Sequence, residues 1–500
     1  MKSFLTKNIF LLAIIVLALF LRFYKIDKNP PSLNVDEVSN GYNAYSILKT
    51  ARDEYGNFMP LTFRTFGDYN LPLSVYTLVP TIGLFGLNEL GVRLPSAFFG
   101  TLTVLLTYLL SRELFKEKKI ALIASFLLAI SPWHLHFSRY DHEANFMVFF
   151  VLLGFVTFLY SQKKYYYLII SVISFGLALN TYHGAKIWVP LFLLAILFWF
   201  RLEILKLKKK LLWPIIILII ATLPIIFNFK NSLIRGQSVG VIGKPKALET
   251  FVSGYLSQYS PDFLFINGDR IGRHSVPGIG ELYVFELPLV ILGIIFLIRQ
   301  KNRSSKFILT WLLISGIPPA TATPTPHALR GLNIIPIWSI IASCGLYSFL
   351  SSKISTNFKK AAMLALILVA TYNFATYLHL YWVHYPKEKA LDWGEGYKQM
   401  VQSVDKIKGS YTTVAISSYY GLPYIYTLFY SAYDPYTYQQ EKGSRNGFGK
   451  FEFFGASWAK TKPGKALLVT PPWQSHPPEV LKEIYSINGD LRFTISQTQE

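Results

Sequence analysis

Long apolar stretches, separated by short polar loops, set the pattern of this chain. They lie at 9–21, 94–111, 120–138, 144–160, 165–182, 187–200, 211–227, 284–298, 307–320, 331–350 and 361–383, and their centres hold no charge. A bilayer core asks for about 20 mostly apolar residues per helix, fewer where flanking residues snorkel. A charge at a helix centre costs roughly 2.5–3.5 kcal/mol. The pattern therefore predicts a mainly α, polytopic membrane helical bundle of about 11 spans. The first run follows Lys2 and Lys7, but no small-residue cleavage site comes after it, so it reads as an uncleaved span.

Composition agrees, at 52% hydrophobic and 15% charged residues. The net charge of +21 at pH 7 would suit a nucleic-acid binder, yet its distribution points to topology instead. Lysines and arginines gather in alternate loops: Arg112–Lys119, Lys163–Lys164, Arg201–Lys210, Arg299–Lys306 and Lys353–Lys360. The positive-inside rule places these loops and the N-terminus in the cytoplasm. A twelfth apolar stretch, 71–88, would invert every later loop if it crossed. With Pro72 and Pro80 inside it, it reads as an interfacial or re-entrant helix in the first outer loop. The outer parts are then 23–93, 139–143, 183–186, 228–283, 321–330 and 384–500, and the expected location is a plasma membrane with the C-terminus outside.

Two regions follow: a transmembrane domain, 1–385, and a small extracytoplasmic α/β domain, 386–500. In the latter, 411–418, 466–470 and 490–496 have the composition of strands, 478–486 reads as a helix, and 434–465 as a loop. The one cysteine, Cys344, excludes an intrachain disulfide and a cysteine zinc site.

Ionisable residues at outer helix ends are the candidate chemistry, since such groups near a membrane are costly to place there. Asp36 and Glu37 open an interfacial helix, where a carboxylate either caps the helix or serves as a general base. Arg139, Asp141, His142 and Glu143 crowd a short outer turn. Outward cations at Arg93, His183, Lys186, His327 and Arg330 run against the topology bias, and a phosphate would explain them. The loop holding Asp269, Arg270, Arg273, His274 and Glu281 has the residues of a lid or an acceptor contact. A transporter or flippase also has many spans, but would carry its polar groups at the midplane and show repeated halves.

The order Asp36-Glu37, Gly67-Asp68-Tyr69, Val92-Arg93-Leu94-Pro95, Ser131-Pro132-Trp133-His134, Ser138-Arg139, Glu143, then Pro326-His327 with Arg330-Gly331 resembles the GT-C membrane glycosyltransferases. The nearest groups are those related to protein O-mannosyltransferases and to the lipid A aminoarabinose transferases. The resemblance implies transfer of a hexose or pentose from a polyprenyl-phosphate donor to a protein, lipid or glycan acceptor on the outer face of the membrane, with inversion. It implies Asp36, Glu37 and Glu143 as catalytic residues, with Asp36 the base and Asp141 the alternative to Glu143. For the lipid phosphate it offers Arg93, Lys186 and Arg330, beside which Arg139, Asp141, His183, His274 and His327 of the outer loops stand as further substrate-binding candidates. It leaves metal use open; were a divalent cation bound, Asp36, Asp141 and Glu143 are its candidate ligands.

Overall fold

The computed structural model describes residues 2–227, 240–241, 243–459, 463–475, 477 and 479–498. Two compact units emerge, one of Met1–Tyr24, Arg64–Ser74 and Ser96–Tyr381, the other of Lys25–Phe63, Val75–Pro95 and Trp382–Glu500.

The first unit is helical. Each apolar run forms one helix or two consecutive ones: Lys2–Phe23, Glu89–Phe115 (of which Ser96 onward belongs here), Lys118–Ile130 with Pro132–Phe137, Glu143–Tyr160, Tyr166–Leu179, Ala185–Trp199, Leu212–Phe227, Glu286–Gln300, Arg303–Ser315 with Ile317–Ala320, Ile335–Ser351, and Thr356–His379. The run 120–138 is thus not one helix. Ser131 leaves the helical region (ψ 125°), its Oγ accepts from the His134 amide at 3.4 Å, and Pro132 starts a new helix at the position that needs no amide. Among the described residues, four helices are long and apolar enough to cross a bilayer alone: Glu89–Phe115, Glu143–Tyr160, Leu332–Ser351 and Thr356–Glu388. A fifth span results if Ala185–Trp199 and Arg201–Leu207, bent by 85°, count as one. Apolar helices such as Leu212–Phe227 are shorter, so length alone does not reproduce the expected eleven.

Aromatic rings fill the interior of this unit. Phe192 lies 4.4 Å from Trp311 and Phe155 4.7 Å from Phe307, centroid to centroid, at the angled geometries that ring quadrupoles favour. Elsewhere small residues bring backbones together. A Cβ on Gly293 would overlap the Ile341 carbonyl, and one on Gly345 the Leu289 carbonyl, so the helices Glu286–Gln300 and Ile335–Ser351 touch through their glycines.

The second unit joins helices to a six-stranded sheet. Its helix Val35–Thr50 begins at the cap residue Asn34 and ends at Ala51 in the left-handed region, φ 55°. Gly41 sits beneath the Phe429 ring, where a Cβ would come within 2.6 Å of Cε2. The strands lie in the order Gly447–Phe448, Phe451–Phe454, Thr413–Ser417, Ala466–Thr470, Leu491–Gln497, Glu479–Tyr485. Thr413–Ser417 pairs in parallel with Phe451–Phe454 and with Ala466–Thr470; the remaining neighbours are antiparallel. The two central parallel strands are buried throughout, as expected of strands covered on both faces.

Two expectations for this region are corrected. In place of the helix expected over 478–486, of which residue 478 lies outside the described residues, Glu479–Tyr485 is an edge strand in a hairpin with Leu491–Gln497, closed by a turn containing Asn488-Gly489. Residues 434–465 are not a bare loop. Asp434 caps a short helix, Pro435–Gln440, accepting from the Thr437 amide at 2.8 Å, and the phenylalanines that follow build two strands.

Candidate active site

The second unit settles what the two neighbouring carboxylates do locally. Asn34 Oδ1 accepts from the Asp36 and Glu37 amides, and Glu37 Oε2 accepts in return from the Asn34 amide at 3.1 Å. This is a reciprocal capping box. The same Glu37 carboxylate takes a two-pronged ion pair from Arg93, Nε to Oε1 at 2.9 Å and Nη2 to Oε2 at 3.2 Å. Arg93 also donates to the carbonyls of Ile26 (3.0 Å), Pro30 (2.8 Å) and Ser32. Both side chains have no solvent exposure. Arg93, a candidate for a lipid phosphate, and Glu37, a candidate for catalysis, thus form one buried clamp that shapes the segment leading into the helix. Asp36, one position earlier, is half-buried in the first helical turn, where the helix dipole favours a negative charge.

In the first unit Arg139 is likewise enclosed. It donates to the carbonyls of Leu21 (2.6 Å), Arg22 (3.1 Å) and Tyr24 (2.9 Å) and to the Tyr381 hydroxyl (2.9 Å), satisfying the C-terminal end of the first helix. A guanidinium so engaged supports the turn it belongs to. Asp141 is buried. His142 caps Glu143–Tyr160, its Nδ1 accepting from the Ala144 amide at 3.2 Å, and lies 3.5 Å from Glu143 Oε2. Glu143 itself is half-buried at the start of that helix. Arg22 went unnoticed in the sequence because it ends an apolar run. It is buried, with Nη2 2.8 Å from His134 Nδ1 and Nη1 donating to the Ala129 carbonyl at 3.1 Å.

Two further groups form within the same unit. His183 Nε2 lies 2.7 Å from the Tyr69 carbonyl, so this nitrogen carries the proton and donates. The other ring nitrogen faces Lys186 Nζ at 3.4 Å, and Lys186 is half-buried. Asp269 organises the second group. Its Oδ2 accepts from His274 Nδ1 at 3.0 Å and from the Ala328 amide at 2.8 Å, with His327 Nδ1 at 3.9 Å; its Oδ1 accepts from the Ile271 amide. The ligand atoms of Asp269, His274 and His327 lie within 4.8 Å of one another, close enough to share a cation. Their hydrogen bonds also account for them without one. Glu281 accepts from the Asp269 amide at 2.9 Å, and burial, followed by the nearby Asp269 charge, raises its pKa well above the usual carboxylate range. Arg330 donates to the Pro324 and Thr323 carbonyls at 3.2 and 3.1 Å. Asp269 and Glu281 appear in the sequence only as members of a polar loop; nothing in their spacing announces a partner 58 residues downstream.

Comparison with known proteins follows the same lines. Residues 12–232 match the family described as dolichyl-phosphate-mannose-protein mannosyltransferase. YkcB of Bacillus subtilis (strain 168), whose name provisionally makes it a mannosyltransferase, is 31% identical over 150 residues, covering 29% of this chain and 20% of its own. An uncharacterized protein of Aquifex aeolicus (strain VF5) is 29% identical over 183 residues, covering 36% of this chain and 35% of its own. The chain thus spans about a third or less of either relative. Among solved structures, ArnT from Cupriavidus metallidurans superposes with a TM-score of 0.58 in the apo state and 0.59 bound to undecaprenyl phosphate. These matches cover 98% or more of both chains at 12% and 13% identity. The oligosaccharyltransferase AglB from Archaeoglobus fulgidus, in complex with an inhibitory peptide and a dolichol-phosphate, gives 0.51 at 15% identity over 85% of this chain and 64% of its own. Residues 12–232 are thus similar to that mannosyltransferase family, and the chain as a whole shares the fold of ArnT.

Proposed function

We propose that this protein transfers a sugar from a polyprenyl-phosphate-linked donor to an acceptor on the outer face of a plasma membrane, with inversion at the anomeric carbon. The observation that carries this reading is the superposition on ArnT over nearly the whole of both chains, one of those structures holding undecaprenyl phosphate. The N-terminus is then cytoplasmic and the C-terminus extracytoplasmic, as the basic loops require.

The chemistry assigns roles to individual side chains. The acceptor hydroxyl oxygen attacks C1 and forms the new glycosidic bond. The bond from C1 to the phosphate oxygen breaks, and polyprenyl phosphate leaves with both electrons. Asp36 takes the acceptor proton; its neighbour Glu37 is held away from this task by Asn34 and Arg93. Negative charge grows on the leaving phosphate, and cations aimed at it lower the barrier. Lys186, with a half-buried ammonium, and Arg330 are the candidates, while Arg93 and Arg139 are committed to backbone carbonyls. Glu143 is the second acidic residue, and His183, through Lys186, is a positioning residue. A divalent cation, if used, would find buried nitrogen and oxygen ligands at Asp269, His274 and His327 as well as the carboxylates of Asp36, Asp141 and Glu143.

The test is transfer by purified protein from labelled polyprenyl-phosphate hexoses and pentoses to a mixed acceptor pool. Product formation that disappears in Asp36→Asn, with the variant still folded, supports the assignment. Failure of the wild type to bind or turn over any such donor removes it and brings transport forward.

A further inference from the structure

In the second unit the carboxyl ends of three mutually parallel strands meet at one edge of the sheet. Thr413–Ser417 runs on into Ser418 and Tyr419, Phe451–Phe454 into Gly455 and Ala456, and Ala466–Thr470 into Pro471 to Gln474. One side chain ties all three together. Gln474 Oε1 accepts from Ser417 Oγ at 2.7 Å, and Gln474 Nε2 donates to the carbonyls of Gly455 (3.1 Å) and Ala456 (2.7 Å). The Ser418 amide adds a bond to the Phe454 carbonyl at 2.7 Å. These ends are held before any ligand arrives, and the carboxyl edge of parallel strands is where open α/β sheets bind their ligands.

Three rings stand on this edge. Tyr419, Tyr420 and Trp473 pack with centroids 5.2–5.5 Å apart and mutual angles of 75–86°. Tyr419 is 64% and Trp473 62% exposed, a poor placement for two of the largest apolar side chains unless something covers them. Behind them Arg492 lies with its guanidinium carbon 3.9 Å from the Tyr420 ring centre. Arg492 is only 6% exposed, and its Nε has no hydrogen-bond partner among the described residues. A rigid edge, exposed ring faces and an unfilled buried donor occur together.

We infer that this edge is a saccharide-binding platform, taking a glycan segment of the acceptor. Pyranose rings present C–H faces that stack on Trp and Tyr, while their hydroxyls accept from an arginine and donate to loop carbonyls. The perpendicular rings form a corner, which suits a ring-shaped ligand better than a flat lipid surface does. The role as acceptor site rests on the glycosyl-transfer reading; saccharide binding does not.

The experiment is calorimetry on the full chain in nanodiscs, titrated with mannohexaose, chitohexaose and a hexauronate. Binding of at least one is expected, weakened about tenfold in Trp473→Ala and in Tyr419→Ala, the scale of one lost stacking contact. Trp473→Phe, which keeps a ring, should retain most of the affinity. Binding of none of the three, or binding indifferent to both alanine variants, overturns the inference. So does quenching of Trp473 by brominated lipid, read as the difference between wild type and Trp473→Phe, since that would make the edge an interfacial anchor. Donor turnover by the wild type is measured separately: its absence with saccharide binding intact removes the transfer reading and leaves the platform standing.

Discussion

Arg93 and Glu37 are bound to each other, 2.9 Å apart and without solvent exposure, although 56 residues separate them. Removing one partner leaves a buried charge uncompensated, at a cost of about 3–5 kcal/mol. Arg93→Leu and Glu37→Leu should each lower the melting temperature sharply and abolish activity with it. The double variant should regain part of the lost stability, because two apolar groups of similar volume leave no orphaned charge. A thermal-shift series on the four proteins checks this.

Asp36→Asn should behave in the opposite way. The cap and the ion pair are made by Asn34, Glu37 and Arg93, so the melting temperature should move little. Transfer should fall by about 10²–10⁴-fold, the usual contribution of a general base. A matched loss of stability would move Asp36 into the scaffold and leave the base unidentified.

The pH dependence of stability gives a third test. Burial and the Asp269 charge raise the Glu281 carboxyl above its ordinary 4.5 in the folded protein. The unfolded chain therefore releases this proton first. Stability contributed by the protonated group is complete below pH 4.5 and is lost as pH rises towards the folded value. Glu281→Gln should flatten that decline, stabilising the protein most on the alkaline side; an unchanged slope in melting temperature against pH would contradict it.

Gly345→Ala places a methyl where the Leu289 carbonyl already lies. The helices Glu286–Gln300 and Ile335–Ser351 would have to separate, costing about 1–3 kcal/mol or more. Gly409, with open space around its position, is the matched control, and Gly409→Ala should leave the melting temperature almost unchanged. Size-exclusion profiles after heating distinguish the two.

What could be read in the sequence was set by local physics. Uncharged runs had to become helices, because a backbone in lipid satisfies its own hydrogen bonds, and every one of them did. Strands at 413–417, 466–470 and 491–497 were visible for a similar reason, as short β-branched or apolar stretches. At 479–485 the charges of Glu479, Lys482 and Glu483 have helical spacing, yet the Asn488-Gly489 turn makes the segment one arm of a hairpin. Long-range pairing was the other blind spot. The positive charges of Arg93 and Arg139 are visible in the sequence, whereas the carbonyls that accept from them are not. The link from Asp269 to Ala328 is of the same kind.

Asn34 does more than satisfy two amides. By fixing the residue at which the helix Val35–Thr50 starts, it fixes the rotational phase of everything after it, each residue advancing about 100° around the axis. Asp36 therefore has a bearing as well as a position. One residue inserted between Asn34 and Asp36 would keep the composition, the carboxylate and the depth of the helix start, yet turn that carboxylate through more than a quarter of a circle. The cap works like the index mark on a dial, and the reading at which the acid points is written two residues away from it.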